Sequence, residues 1–149
     1  MSAALHLAKP DDLAVLQKLV ASFHNQENIE QTDQERGAAL LPLLAGTPHG
    51  AAYLIGPRKG AVGYIIISFG YSVEMGGIAG FIDEFYIRTN VRGRGLDGEV
   101  LRSLMPALAG YGVKALRLEV GQDNEAAIRL YGKLGFEPHD NHQRMTRRF

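Results

Sequence analysis

The stretch that most restricts what this chain can fold into is residues 81–98. An apolar run with two acids in its middle, Phe81-Ile82-Asp83-Glu84-Phe85-Tyr86-Ile87, leads through Arg88-Thr89-Asn90-Val91 into Arg92-Gly93-Arg94-Gly95-Leu96-Asp97-Gly98. Aromatic and β-branched residues make the first part a strand. Leu96, Val100, Leu101, Leu104, Met105 and Leu108 form the core stripe of a helix that should end at Gly110 or Gly112. A strand that turns into a helix through glycines exposes backbone N–H groups at the helix N-terminus, where the dipole favours an anion such as pyrophosphate. Arg92 and Arg94 add guanidinium groups that can grip phosphate oxygens with two donors. An ordinary surface turn with solvated arginines would use the same residues.

Gly93-x-Gly95-x-x-Gly98 also matches the dinucleotide fingerprint, with Glu119 about 20 residues further on, where a ribose-binding acid belongs. In that fold, however, the first glycine follows an apolar strand directly, whereas here Arg88 to Arg92 intervene and the strand carries acids. Too little chain follows Gly98 for the further strand and helix units of a dinucleotide site.

The rest of the 149 residues supplies a layered sheet. Leu5 to Ala8 is a short strand, and Pro10-Asp11-Asp12 offers a turn and an acidic helix start. Leu13, Leu16, Leu19, Val20 and Phe23 share one helical face. A second helix runs from near Asp33 to Pro42 or Gly46. Ala51–Ile55 and Ala61–Phe69 form a hairpin across Gly56-Pro57-Arg58-Lys59-Gly60. Glycines 70, 76, 77 and 80 suggest a flexible connection. In 113–120, Leu116, Leu118 and Val120 alternate with Ala115, Arg117 and Glu119, the period of a half-buried strand. A helix with Ala127, Leu130, Tyr131 and Leu134 on one face follows, capped by Asp123 or Asn124, and Glu137 to Phe149 is expected to add a turn and an edge strand. The order predicts one α/β domain over 1–149, with helices on the faces of the sheet.

Composition narrows the function. Sixteen basic residues balance sixteen acidic ones, so the electrostatic footprint of sequence-tolerant nucleic-acid or anionic-membrane binding is missing. The balance is uneven: residues 1–50 hold Lys9, Lys18 and Arg36 against Asp11, Asp12, Glu27, Glu30, Asp33 and Glu35, so the remainder is net basic. With no cysteine, disulfides, thiolate metal sites and cysteine nucleophiles drop out, which fits a reducing compartment. Neither a signal peptide nor a bilayer-length apolar run is seen, and a cytoplasmic protein is expected.

A second motif, Asn124-x-x-Ala127-Ile128-x-Leu130-Tyr131-x-x-x-Gly135-Phe136, joins the first. Together the strand with its Arg-x-x-Gly loop and the Asn…Leu-Tyr…Gly-Phe helix strongly resemble the GCN5-related N-acetyltransferase superfamily, over the whole chain. The resemblance implies an acyl-CoA N-acyltransferase fold, with a central mixed, mostly antiparallel sheet and helices on both faces. It implies an enzyme that moves acetyl from acetyl-CoA, its co-substrate, directly to an amine without a covalent acyl-enzyme or a metal. The pantetheine arm would lie between splayed fourth and fifth strands as an added strand would, with Asn124 bonding the arm or capping its helix. Backbone groups near Phe85, Tyr86 and Ile87 would stabilise the tetrahedral oxyanion. The pyrophosphate would sit on Arg92, Gly93, Arg94, Gly95, Leu96, Asp97 and Gly98. The family pattern has a small residue where Asp97 stands, so this carboxylate either points outward as a first-turn acid or weakens cofactor binding.

An attacking amine must lose a proton, and Asp83 or Glu84 would take it; adjacent strand side chains point to opposite faces, so one of the two reaches the substrate. Tyr131 holds the family's position for the acid that protonates the leaving thiolate, although it also fits a helical core stripe. The acceptor would approach Phe23, His24, Glu27, Glu30, Tyr71 and Glu74. This acidic, aromatic set suits a small cationic amine, diamine-like, polyamine-like or amino-acid-like. A protein or peptide acetyltransferase and a non-catalytic acyl-CoA-binding module are the alternatives. His139-x-x-His142 lacks a third metal ligand and reads as a solvated turn. Dimers made by exchanging or pairing C-terminal strands are common among look-alikes, so a homodimer is the assembly the resemblance allows.

Overall fold

A computed structural model of the chain describes residues 4–139 and 141–149. The chain divides into a unit ending at Glu119 and a smaller unit beginning at Val120. The first contains β1 (Leu5–Leu7), α1 (Leu13–Gln26), α2 (Asp33–Ala45), β2 (Gly50–Ile55), β3 (Gly63–Ser72), β4 (Gly77–Ile87), α3 (Leu96–Gly110) and β5 (Ala115–Arg117), with single 3-10 turns at Pro10–Asp12 and Thr89–Val91. The strands form one sheet in the order β1-β2-β3-β4-β5. The first three pairings are antiparallel and the last is parallel, which gives the mixed, mostly antiparallel α/β architecture expected.

Local chemistry fixes where the helices start. The Asp12 carboxylate accepts the Lys9 N–H at 2.9 Å and a guanidinium N–H of Arg58 at 2.5 Å, pinning the entry of α1 to the β2–β3 connection. Thr32 and Glu35 cap α2 reciprocally, at 3.1 and 2.8 Å. Gly46, at φ 102°, ends it.

Two cores flank the sheet. Leu16, Leu19 and Val20 of α1 and Leu40 and Leu44 of α2 bury against Ala52, Leu54, Tyr64, Ile66 and Tyr86. The stripe Val100, Leu101, Leu104 and Leu108 of α3 is buried outside that cluster, and it serves the opposite side of the sheet, where Ile55, Ile65 and Ile67 are fully buried.

The register of β3 on β4 slips once. Ile66 faces Glu84 while Ile67 faces Ile82, so Asp83 is the extra residue of a bulge. Before the bulge Phe81 shares the α1/α2 face of the sheet with Ser68; after it, Glu84 and Tyr86 share that face with Ile66 and Tyr64. The parallel pairing of β4 with β5 is confined to Ala79–Phe81 against Ala115–Arg117, and it stops just before the bulge bends the strand. The strand expected over 113–120 is therefore shorter.

Glycines 70, 77 and 80 lie in strands rather than in a flexible connection, and Gly76, at φ 88°, makes the turn between them. Gly80 has a packing reason: a Cβ there would come within 3.2–3.7 Å of the side chains of Leu116, Ile67 and Phe69.

In the second unit Asn124 caps α4 (Glu125–Lys133), its Oδ1 accepting the Ala127 N–H at 3.2 Å. Gly135, at φ 96°, lets the chain fold back. The Phe136 N–H donates to the Tyr131 carbonyl at 3.0 Å, and the two rings meet edge to face at 5.7 Å. The edge strand expected between Glu137 and Phe149 is not formed among the described residues, and Asp140 lies outside them. That stretch has few apolar residues and no alternation with which to commit a strand to a sheet.

Gly63 sits so close to β4 that an added Cβ would run into the Tyr86 carbonyl oxygen. Gly63→Ala should therefore lower the unfolding free energy by roughly 2–3 kcal/mol or more. Gly110→Ala, with open space around it, should be neutral or stabilise by up to about 1 kcal/mol. Urea unfolding of both variants checks this.

Candidate active site

The bulge carries Glu84 onto the α1/α2 face, and its carboxylate is held there at both oxygens. Tyr64 donates its O–H to Oε1 at 2.7 Å, and His24 Nε2 lies 2.8 Å from Oε2. Arg36 Nε donates to His24 Nδ1 at 3.2 Å, while Arg36 Nη1 reaches Asp33 at 2.9 Å. A guanidinium can only donate, so Nδ1 is the acceptor and the ring proton sits on Nε2, aimed at Glu84. Tyr64 and His24 are buried, and Glu84 keeps 17% of its side-chain surface exposed. A carboxylate has about four lone-pair sites; two are used here, and the others are left for a ligand or water. Burial, then the adjacent Glu84 charge, pushes the Tyr64 phenol far above its ordinary value of 10.0.

Phe23 packs its ring on His24, Tyr64 and Tyr86, at centroid distances of 5.9–6.3 Å. Asp83 is exposed at the bulge. Glu27 is exposed at the C-terminus of α1, as is Glu30 beyond it. Tyr71 and Glu74 are not brought to this cluster. They lie at the far end of the β3–β4 hairpin, where Tyr71 is 77% exposed, and Tyr71 is about 17 Å along the strand from Ile66 at the standard rise.

Backbone alternation sorts Phe85, Tyr86 and Ile87. The Arg88 N–H donates to the Val62 carbonyl at 2.7 Å, and the Phe69 N–H donates to His49 at 2.9 Å. Odd-numbered residues of β3 therefore bond β2, and even-numbered ones bond β4. Glu84 and Tyr86 thus spend their backbone groups on Ile66 and Tyr64, while Phe85 and Ile87 direct theirs to the opposite edge. No strand pairs with that edge beyond Phe81 among the described residues.

The glycine loop turns as its sequence requires, with Gly93 at φ 79° and Gly95 in the left-handed region at φ 72° as the N-cap of α3. Leu96 begins the helix and Gly98 is buried in its first turn. The two arginines differ. Arg92 folds back, Nε donating to the Ile87 carbonyl at 2.7 Å and Nη2 to Gln26 at 2.5 Å, with its guanidinium 5.4 Å from the Tyr86 ring centre. Arg94 is exposed and makes no hydrogen bond or ion pair among the described residues. Asp97 Oδ1 accepts the Gly98 N–H at 2.9 Å, occupying one donor of the helix N-terminus.

Residues 13–136 match the model of the acetyltransferase (GNAT) family. The chain belongs to the acetyltransferase (GNAT) family. An uncharacterised N-acetyltransferase of Bacillus subtilis (strain 168), YobR, is 31% identical over 88 residues, which cover 59% of this chain and 32% of that protein. The chain thus matches about a third of the length of that curated relative. An integron cassette protein from the mobile metagenome of a salt marsh at Cole Harbour is 28% identical, with a TM-score of 0.81 over 97% of this chain and 89% of that one. A predicted acetyltransferase of Clostridium acetobutylicum solved with acetyl-CoA is 18% identical, with a TM-score of 0.76 over 97% and 96% of the two chains; at that identity the likeness speaks for the fold alone.

Within this member of the GNAT family, sequence reasoning did not find Tyr64, Arg36 or Asp33, which hold Glu84 and its histidine. Tyr64 carried a faint signal, a lone hydroxyl inside Gly63-Tyr64-Ile65-Ile66-Ile67. Among the described residues no group of three acids or histidines is gathered that could hold a metal, and no helix is long and apolar enough to cross a membrane.

Because the Tyr64 phenol titrates higher in the folded chain than in the unfolded one, its contribution is fully present below about pH 10 and is lost as pH rises toward the folded value. Burial raises Tyr53 as well. Urea midpoints measured from pH 8 to 11 should fall on the alkaline side, and Tyr64→Phe should make that fall shallower.

Proposed function

We propose that the chain transfers the acetyl group of acetyl-CoA directly to a small primary amine. The observation that carries the reading is the pair of features at the Asp83 bulge: a β4 edge at Phe85 and Ile87 that no strand among the described residues pairs with, and a carboxylate at Glu84 gripped by Tyr64 and His24. In this reading the pantetheine arm adds to the free edge, and an edge N–H stabilises the thioester oxygen as it becomes an oxyanion. The pyrophosphate rests on the N-terminus of α3 with Arg94. The residues present fit that cofactor, because Gly93 and Gly95 leave open space where a side chain would stand and Arg94 is free to reach an anion.

Glu84, directly or through one water, accepts a proton from the substrate ammonium on its unused lone pairs, and the neutral amine so formed attacks the thioester carbonyl. His24 is a positioning residue: its Nδ1 is committed to Arg36, so it orients the carboxylate and passes no proton onward. Tyr131 donates the proton that leaves with the CoA thiolate. A phenol can return its proton to an alkyl thiolate as that thiolate leaves. Asp83, exposed on the bulge, is the second acid near the acceptor and not the base. One 1–149 domain acting in the cytoplasm, as a homodimer, completes the proposal.

Acetyl-CoA should raise the melting temperature at saturation, and thiol release should follow the addition of an amine. Glu84→Gln should lower kcat about 10²–10⁴-fold at pH 7 with the KM for acetyl-CoA unchanged. The deficit should shrink at alkaline pH, where free amine is abundant. Tyr131→Phe should slow turnover more than it weakens CoA binding. Stabilisation by acetyl-CoA without turnover on any amine would leave a non-catalytic acyl-CoA-binding module, and turnover on lysine peptides above small amines would replace the small acceptor with a peptide.

A further inference from the structure

The α1/α2 face of the sheet is roofed at one end only. Helices α1 and α2 cover Tyr64 and Ile66 of β3, whereas Ser68 and Gly70, the next positions on that face, are exposed. The register places Ser68, Phe81 and Arg117 in one row across β3, β4 and β5, and Gly70, Ala79 and Ala115 in the row beyond. Gly70 and Ala79 are too small to fill the space above them. The result is an open cleft of about 270 Å³ with Ser68, Ser72, Phe81 and Arg117 in its walls.

Arg117 stands out in this cleft. It is exposed and makes no hydrogen bond or ion pair with another described residue, although an arginine carries five donors. The bulge shortens the distance from its row to Glu84: Ile66, opposite Glu84, and Ser68, in the Arg117 row, are two residues apart on β3. The guanidinium row therefore lies about 7 Å along the strands from the carboxylate row, and one strand spacing of about 5 Å to the side. A carboxylate and a guanidinium at that separation, on the same face and above a small-residue floor, complement a molecule that carries its own amine and carboxylate a few bonds apart.

We propose that Arg117 binds the carboxylate of an amino-acid acceptor whose amine is presented at Glu84. This rests on the acetyl-transfer reading and narrows its substrate class from small amines in general to amines bearing a carboxylate. Arginine suits the role because its planar fork matches a carboxylate with two parallel hydrogen bonds, and the Ser68 and Ser72 hydroxyls supply further donors.

The test compares matched pairs that differ only in the carboxylate: L-lysine against cadaverine, and L-phenylalanine against phenethylamine, with acetyl-CoA saturating and thiol release as the readout. The wild-type protein should favour each amino acid in kcat/KM. Arg117→Ala should cost the amino acids roughly ten- to a hundredfold, through KM. It should leave the decarboxylated amines within about twofold and the KM for acetyl-CoA unchanged. Arg117→Lys should recover part of the loss, and Arg117→Glu should reverse the preference. A wild-type preference for the decarboxylated partner, or an Arg117→Ala effect equal on both members of a pair, would overturn the proposal. Should no amine release thiol while acetyl-CoA still stabilises the fold, the transfer reading fails separately. Titration of L-lysine and cadaverine into the CoA-bound protein then decides the Arg117 site, since binding of L-lysine that Arg117→Ala does not weaken, or no binding at all, would overturn it.

Discussion

One extra residue in β4 organises the whole candidate site. In an unbroken antiparallel pair, Ile82, Glu84 and Tyr86 would share one face; the bulge at Asp83 reverses the phase between Ile82 and Glu84. Ile82 stays in one core while Glu84 passes to the other side, where α1 brings His24. The same bend coincides with the end of the β5 pairing, which frees the backbone edge at Phe85 and Ile87. A carboxylate beside an open strand edge is thus one geometrical event with two chemical results.

The surroundings of Glu84 show how a partly buried acid is kept in place. Its two oxygens meet two donors, and the donor histidine is itself fixed by a guanidinium whose other arm ends on Asp33. Such a chain specifies a single tautomer and a single carboxylate orientation, the preorganisation that proton transfer at a defined point requires. Arg92 plays a similar structural part at the end of β4, tying Ile87 to the C-terminal turn of α1. Of the two loop arginines, the one that the motif pattern emphasises is the one the fold consumes.

Much of this was legible in the sequence, because hydrophobic period, caps and glycine punctuation are local. The α1 and α3 stripes, a cap at Asp123 or Asn124 and the strand at Phe81 to Ile87 follow from local spacing and composition. What escaped depends on register and on partners distant in sequence. No local signal makes Asp83 a bulge, so the faces that Asp83 and Glu84 occupy follow only from the register of Ile66 and Ile67 on β4. Tyr64, twenty residues from Glu84 in the chain, matters because β3 runs beside β4. Glycines 70, 77 and 80 suggested a loose connection, yet Gly80 is small because Ile67, Phe69 and Leu116 fill its space. Tyr71 and Glu74 shared the chemistry of a cation site without sharing its end of the hairpin. The tail after Phe136 was expected to form an edge strand, and its polar composition explains why none forms among the described residues.

The most direct test of the account is amide hydrogen exchange at β4, measured by NMR with and without saturating acetyl-CoA. The Phe85 and Ile87 amides, turned to the open edge, should exchange more slowly at one or both positions when the cofactor adds along it, while the Tyr86 amide, bonded to β3, should change little. Unchanged exchange at both Phe85 and Ile87 on binding would contradict the claim that the bulge opens this edge to receive the cofactor.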